Sequence, residues 1–188
     1  MTSKLDRRKK YTHMVLKDSL IKILKEKKIS SVTVKEICEQ ADINRSTFYS
    51  HYSDQYDLLN KIEEEMIEDM NKTLSAYNLS EKEEALQMTE KVLEYLATNR
   101  DVCQTLLSEN GDTYFQKRVM MITQQYTMKN WMADNTSDET MSEYISLLVI
   151  SGSIHVIQSW LNNGMDKSPK EMAEMINNFA NKGLSSLQ

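Results

Sequence analysis

Glycine and proline are nearly missing from this chain, at four and one in 188 residues. Hairpins and β-sandwiches take those residues at their turns, so an all-β fold is not expected. No glycines cluster, which excludes the loops that let a backbone close on a phosphate or a dinucleotide. Only two cysteines occur, Cys38 and Cys103, with no CxxC spacing. That speaks against a disulfide framework or a cysteine-rich zinc site and fits a reducing, cytoplasmic setting. The three histidines, His13, His51 and His155, share no metal-ligand spacing, so no metal site is expected. Met1 to Lys10 is charged and has no apolar core, so no secretory signal is expected. The longest apolar stretch, Tyr144 to Leu161, is broken by Ser146, Ser151, Ser153, His155, Gln158 and Ser159, and reads as a buried helix and not a membrane span. No nucleophile, base and orienting group fall together by spacing, so neither catalysis nor a cofactor is expected. The acidic runs Glu63 to Glu65 and Glu81 to Glu84 read as solvated helix faces.

What is present is helix-forming sequence and an uneven charge. Residues 1–60 hold 12 Lys/Arg against 8 Asp/Glu, and residues 61–188 hold 11 against 20. A net +4 end on a net −9 body points to one end that meets a polyanion, although a basic solvated helix gives the same count. Leu16, Leu20, Ile23 and Leu24 mark one face of a first helix between Leu5 and Lys28. Thr33-Val34-Lys35-Glu36 is a capping box for a short helix to Gln40 that buries Val34, Ile37 and Ala41. Asn44 caps another from Arg45 to His51, and Ser53 or Asp54 opens a long helix striped by Leu59, Ile62, Met66, Met70, Leu74 and Tyr77. Further helices are expected from a Ser80–Glu83 capping box to about Asn99, from Arg100 to Glu109, and from Asp112 to Ala133. The long apolar helix ends at Gly164, and a last helix is opened by Ser168-Pro169-Lys170-Glu171. The fold class is all-α, with about nine helices.

Two short helices joined at Ala41-Asp42-Ile43 form a helix-turn-helix pattern. A recognition helix must be short and polar outside, so that its side chains reach base edges in the major groove. Arg45, Ser46, Thr47 and Ser50 meet that need, and Arg45 suits a bidentate pair with guanine. Phe48 and Tyr52 are expected to pack inward, while Tyr49, His51 and Thr33 suit phosphate contacts. An ordinary α-hairpin inside a bundle fits the helix pattern as well.

Thr33 to Ile37 and Ala41, then Asn44-Arg45-Ser46-Thr47-Phe48-Tyr49-Ser50-His51-Tyr52, then Leu58-Leu59, resemble the DNA-binding domain of the tetracycline-repressor (TetR) family. The likeness covers about the first 60 residues, and the later helices match by number, length and order the version of the family's body common in Firmicutes. The resemblance implies a helix-turn-helix domain over 1–55, and a helical effector-binding and dimerisation domain over 56–188. It implies a regulator, most often a repressor, that binds a palindromic double-stranded operator as a homodimer and is released by a small-molecule effector. A co-regulator of the same fold acting on a partner protein is the alternative. The resemblance counts Asn44 among the DNA-binding residues, and places Lys35 near a base or phosphate from the second helix and Lys9, Lys10 and Thr12 near the backbone. Two positions depart from the family pattern. Asp42 stands for the usual turn glycine, a position Asp tolerates in left-handed backbone. Gln55 replaces a phosphate-binding lysine, keeping a donor but losing a countercharge.

In the body, thirteen methionines are many for this length, and methionine lines adaptable apolar pockets. Tyr114, Met121, Tyr126, Met128, Trp131 and His155 are the effector candidates, although each suits plain core equally, and His155 suits a core histidine better than a ligand. The dimer interface is expected on the last two helices. Ile154, Ile157 and Leu161 would come from one, and Ala173, Ile176, Ala180, Gly183 and Leu184 from the other, as a four-helix bundle with the two-fold mate.

Overall fold

The computed structural model describes residues 4–77, 82–108, 110, 113–131 and 139–185. Among them the regular structure is helical throughout: α1 (Lys4–Leu24), a 3₁₀ turn (Ile29–Ser31), α2 (Val34–Ala41), α3 (Arg45–Tyr49), α4 (Gln55–Ser75), α5 (Lys82–Thr98), α6 (Arg100–Leu106), α7 (Thr113–Trp131), α8 (Glu139–Asn162) and α9 (Pro169–Ser185). The chain forms two compact units. The first comprises residues 1–67 and 105–115, and the second residues 68–104 and 116–188.

The first unit is built on α1, which packs on α2, which packs on α3. The buried arc of α1 is centred on Leu16, Leu20 and Leu24 and reaches Ile21. Ile23, expected on that face, is half-buried at its other edge. In α2 the buried residues are Ile37 and Cys38, whereas Val34 and Ala41, expected inside, are half-buried at the two ends of so short a helix. Phe48 closes α3 onto this core and is fully buried, with Leu58, Leu59, Ile62 and Met66 arriving from α4.

The second unit packs α9 on α5 and on α8. Its core includes Leu93, Leu96, Cys103, Ile150, Trp160, Leu161, Met172 and Ala173. The end of α8 is tied down by polar groups. Arg100 Nε and Gln104 Nε2 both donate to the Leu161 carbonyl, at 3.0 and 2.7 Å, and Trp160 Nε1 donates to the Lys167 carbonyl at 2.9 Å. Gly164 takes a left-handed φ of 87°, and Met165 N–H returns to the Trp160 carbonyl at 2.9 Å, the expected glycine stop. Ser168 and Glu171 form the expected reciprocal cap of α9 with Pro169 at the first helical position. Ser80 and Glu81, half of the other expected capping box, lie outside the described residues.

One expectation is overturned here. The apolar helix α8 is buried in its own chain only along one side. Its Glu143–Asn162 segment is apolar and long enough to cross a membrane, yet only 22% of its most apolar window is buried. Tyr144, Leu147, Leu148 and Val156 stand exposed, and the exposed positions 144, 148, 152, 155 and 159 trace one helical stripe. Apolar composition on every side of a helix does not say which side its own chain covers.

Candidate nucleic-acid interface

The turn between α2 and α3 follows from two caps and a left-handed residue. Asp42 sits at φ 52°, ψ 43°, and closes α2 with Asp42 N–H on the Glu39 carbonyl (3.4 Å) and Ile43 N–H on the Cys38 carbonyl (3.0 Å). This is the paired-bond stop usually made with glycine, here carried by a short polar side chain that tolerates the conformation. Asn44 then starts α3: its Oδ1 accepts Ser46 N–H and Ser46 Oγ–H, both at 2.9 Å. Cys38 lies under the turn, where burial pushes its thiol up and keeps it protonated.

At the start of α2, Thr33 Oγ accepts Glu36 N–H (3.3 Å), and Glu36 Oε2 accepts Thr33 N–H (2.9 Å) and Thr33 Oγ–H (2.8 Å). Lys27 Nζ donates to the other carboxylate oxygen. The bond from Lys27 and then those from Thr33 hold the Glu36 carboxyl down at about 2, against an ordinary 4.5. A folded-state value below the unfolded one contributes stability that is present above about pH 4.5 and is lost as pH falls toward 2. Glu36→Gln is therefore expected to be less stable than wild type at neutral pH, with a deficit that shrinks between pH 4.5 and 2. Urea midpoints measured across that range check this, and a deficit independent of pH would refute it.

On this frame the candidate DNA contacts divide. Arg45 and Tyr49 are exposed on α3, with Tyr49 58% accessible and its ring edge-on to Phe48 at 5.6 Å. Lys35 is exposed on α2, 3.7 Å from Glu39 one turn on. Thr47, His51 and Gln55 are half-buried, with the His51 ring against Tyr52 and Gln55 as the first residue of α4. Three hydroxyls and one cap are occupied locally. Ser46 donates to Asn44, Ser50 Oγ donates to the Thr47 carbonyl at 2.7 Å, and Thr33 donates to Glu36. The three hydroxyls have their hydrogens committed and can only accept from a nucleic acid until those bonds break, so the base-reading and phosphate roles expected of Thr33, Ser46 and Ser50 are weakened, whereas Asn44 uses its Oδ1 as an acceptor and keeps its amide N–H groups to donate. Among the candidates, Arg45 and Tyr49 keep both exposure and reach. Lys9 and Lys10 are exposed as expected of backbone contacts, but Thr12 is buried and cannot make one.

The start of α4 is closed by an Asp pair. Asp54 Oδ1 accepts Tyr56 N–H (2.8 Å) and Asp57 N–H (2.9 Å), while Asp57 Oδ2 accepts Ser53 N–H at 2.8 Å. Asp54 is thus the cap. Tyr56, exposed beside Gln55, is a further phenol at this helix end that the sequence reading passed over. Its signal was its place one residue after the altered phosphate position.

In the body, Tyr114 and Met121 are exposed, at 60% and 53%. His155 is exposed too, its ring Nδ1 2.8 Å from the Ser151 carbonyl one turn earlier, so it is not a core histidine. The side chains of Tyr126, Met128 and Trp131 lie outside the described residues, as do those of Gly183 and Leu184. Of the expected interface residues, Leu161 and Ala173 are buried within their own unit and cannot be offered to a second chain. Ile154, Ile157, Ile176 and Ala180 are half-buried. Exposed apolar surface on these two helices instead comes from Tyr144, Leu147, Leu148 and Val156 on α8 and Met175 and Phe179 on α9.

Comparison with known proteins covers most of the chain. Residues 18–62 match the family described as bacterial regulatory proteins, tetR family, and residues 83–182 match one described as transcriptional regulator C-terminal region. The uncharacterized HTH-type transcriptional regulator YxbF of Bacillus subtilis strain 168 is 34% identical over 59 residues, 31% of this chain and 16% of that protein. The match therefore spans about a sixth of that relative's length. A TetR transcriptional regulator from Streptococcus agalactiae has a similar structure at 21% identity, covering 93% of this chain and 96% of that one, with a TM-score of 0.67. FadR from Bacillus subtilis, solved in complex with stearoyl-CoA, is similar at 17% identity over 89% and 96% of the two chains, with a TM-score of 0.61.

Proposed function

The chain belongs to the TetR family of transcriptional regulators, and on that premise we propose that it binds a palindromic DNA operator as a homodimer, most simply as a repressor, and releases it when a small molecule occupies the body. The observation that carries this reading is the build of α3. Phe48 anchors it, Asn44 caps it, and Arg45 and Tyr49 are left exposed on it. Arg45 reads a base edge and Tyr49 fixes register on phosphate, with Lys35 supporting. Residues 1–55 carry the DNA-reading groups and 56–188 the effector and dimerisation functions, while the start of α4 completes the core of the first unit. A dimer places two such helices in successive major grooves, roughly 34–36 Å apart.

The exposed stripe of α8 with Met175 and Phe179 of α9 supports the homodimer. An apolar stripe interrupted by serines and a histidine suits a second copy of itself better than lipid. His155 then belongs to this face and no longer to the effector set. That FadR from Bacillus subtilis, a protein of similar fold, is found in complex with stearoyl-CoA supports a small-molecule effector. Different affinity for two spacings of the heads would make that effector a switch.

Selection of bound duplexes from a random pool tests the reading. A palindromic consensus is expected, and a pool that never enriches would overturn it. Gln55→Lys adds a countercharge at the start of α4. Binding should tighten, and the slope of log affinity against log salt should steepen by about one per head, so up to about two for a dimer. Filter-binding over a salt series measures this. An unchanged slope would place Gln55 away from the backbone and favour a co-regulator that acts on a partner protein.

A further inference from the structure

His13 of α1 is held between two other elements of the first unit. Its Nδ1 lies 2.5 Å from the Tyr52 hydroxyl, and its Nε2 lies 3.0 Å from Glu65 Oε2 on α4. Lys17, one turn along α1, is 3.8 Å from that same carboxylate oxygen. Tyr52 is buried, three residues past the end of α3, with its ring 5.7 Å from Phe48 and 6.1 Å from His51. An ionised carboxylate only accepts, so Nε2 carries the hydrogen toward Glu65. In its neutral form the imidazole has one donor and one acceptor, and in that form Nδ1 accepts from the Tyr52 O–H. Burial first, then the nearby Glu65 and Asp57, push the Tyr52 hydroxyl up to about 12, so it keeps the proton it donates. Each of the three groups thereby has its complement. Packing alone would ask only for an aromatic ring at 52 and an apolar residue at 13. The hydroxyl and the imidazole add direction.

We propose that His13 is a positioning residue: the Tyr52–His13–Glu65 relay ties the end of the recognition helix to α4 and sets the angle at which α3 is presented. The Phe48 and Tyr52 rings hold α3 to the core by contact, which resists separation but little resists rotation. Two directed bonds through one imidazole resist rotation as well. The consequence for DNA rests on the reading of α3 proposed above.

The test uses the full chain in three variants. Tyr52→Phe keeps the ring and removes the hydroxyl, His13→Leu removes both bonds, and His13→Gln restores an acceptor and a donor on one side chain. Without DNA, nitrogen NMR of wild type should show His13 as the Nε2–H tautomer, with that preference weakened in Tyr52→Phe. Amide exchange of α3 should rise severalfold in Tyr52→Phe and His13→Leu, with α8 and α9 unchanged, and return toward wild type in His13→Gln. On the duplex recovered by selection, the preference over a scrambled duplex should fall about tenfold in the first two variants and recover in the third. An Nδ1–H tautomer, unaltered α3 exchange, or exchange that rises evenly in every helix would overturn the relay. A wild-type chain that enriches no duplex would overturn the DNA reading instead, and the tautomer and exchange results would still decide the relay.

Discussion

A chain carrying both Leu148→Glu and Phe179→Glu is expected to sediment as a monomer, to keep its helical circular dichroism, and to bind operator about 10²–10⁴-fold less tightly than wild type. The two side chains are 70% and 68% exposed in the single chain, so their replacement removes little from its own core. In a two-fold dimer each is buried twice. Full burial of one such side chain contributes about 1.5–3 kcal/mol, and four of them make a large share of the roughly 8–12 kcal/mol that a micromolar to nanomolar dimer requires. Four added carboxylates brought together across the axis act in the same direction. The loss on DNA follows from geometry: a dimer engages its second half-site at the effective concentration set by the first, and a monomer does not. Ala180, one of the interface residues expected from the sequence, is half-buried, so a charge there confounds folding with association. A double variant that stays dimeric and folded would place the interface elsewhere.

Features determined within four residues were legible in the sequence. The Thr33–Glu36 and Ser168–Glu171 boxes and the Asn44 cap are decided by side chains that reach only their own turn, and the stop at Gly164 by a backbone freedom of that one residue, and the structure has all of them. Asp42 in left-handed backbone belongs to the same class. The inward packing of Phe48 and Tyr52 was legible because polar neighbours leave α3 a single apolar side.

What was not legible depends on partners distant in sequence or on a competition between nearby acceptors. Residue type says that Thr33, Ser46 and Ser50 can bond phosphate or bases. It does not say that Glu36, Asn44 and the Thr47 carbonyl already hold their hydrogens. The meeting of His13 with Tyr52 and Glu65 spans 39 and 52 residues, so no periodicity announces it. For α8, hydropathy reports that a side chain avoids water but not which chain covers it. That is why Leu161 is expected with Ile154 and Ile157 at an interface although it is buried within its own unit.

Arg45→Ala and Tyr49→Phe are expected to separate base reading from backbone contact. Arg45 is exposed as the first residue of α3, with its neighbours Asn44 and Ser46 bonded to each other. Its planar fork of donors suits the two acceptors of guanine in the major groove. Removing it should cost about 1–3 kcal/mol per half-site and flatten the preference at one base pair in each half. Tyr49 presents an exposed phenol on a ring already braced against Phe48, so Tyr49→Phe removes one hydrogen bond and leaves the helix in place. That change should weaken every duplex alike, by about 0.5–1.5 kcal/mol per contact, and leave the order of preference untouched. The two effects are distinguished by measuring affinity for a panel of single-base variants of the selected operator. For Arg45→Ala the profile should collapse at one position per half-site, and for Tyr49→Phe it should shift as a whole. An Arg45→Ala profile that runs parallel to wild type would remove Arg45 from base reading. A Tyr49→Phe profile that changes shape would move the tyrosine from phosphate to a base edge.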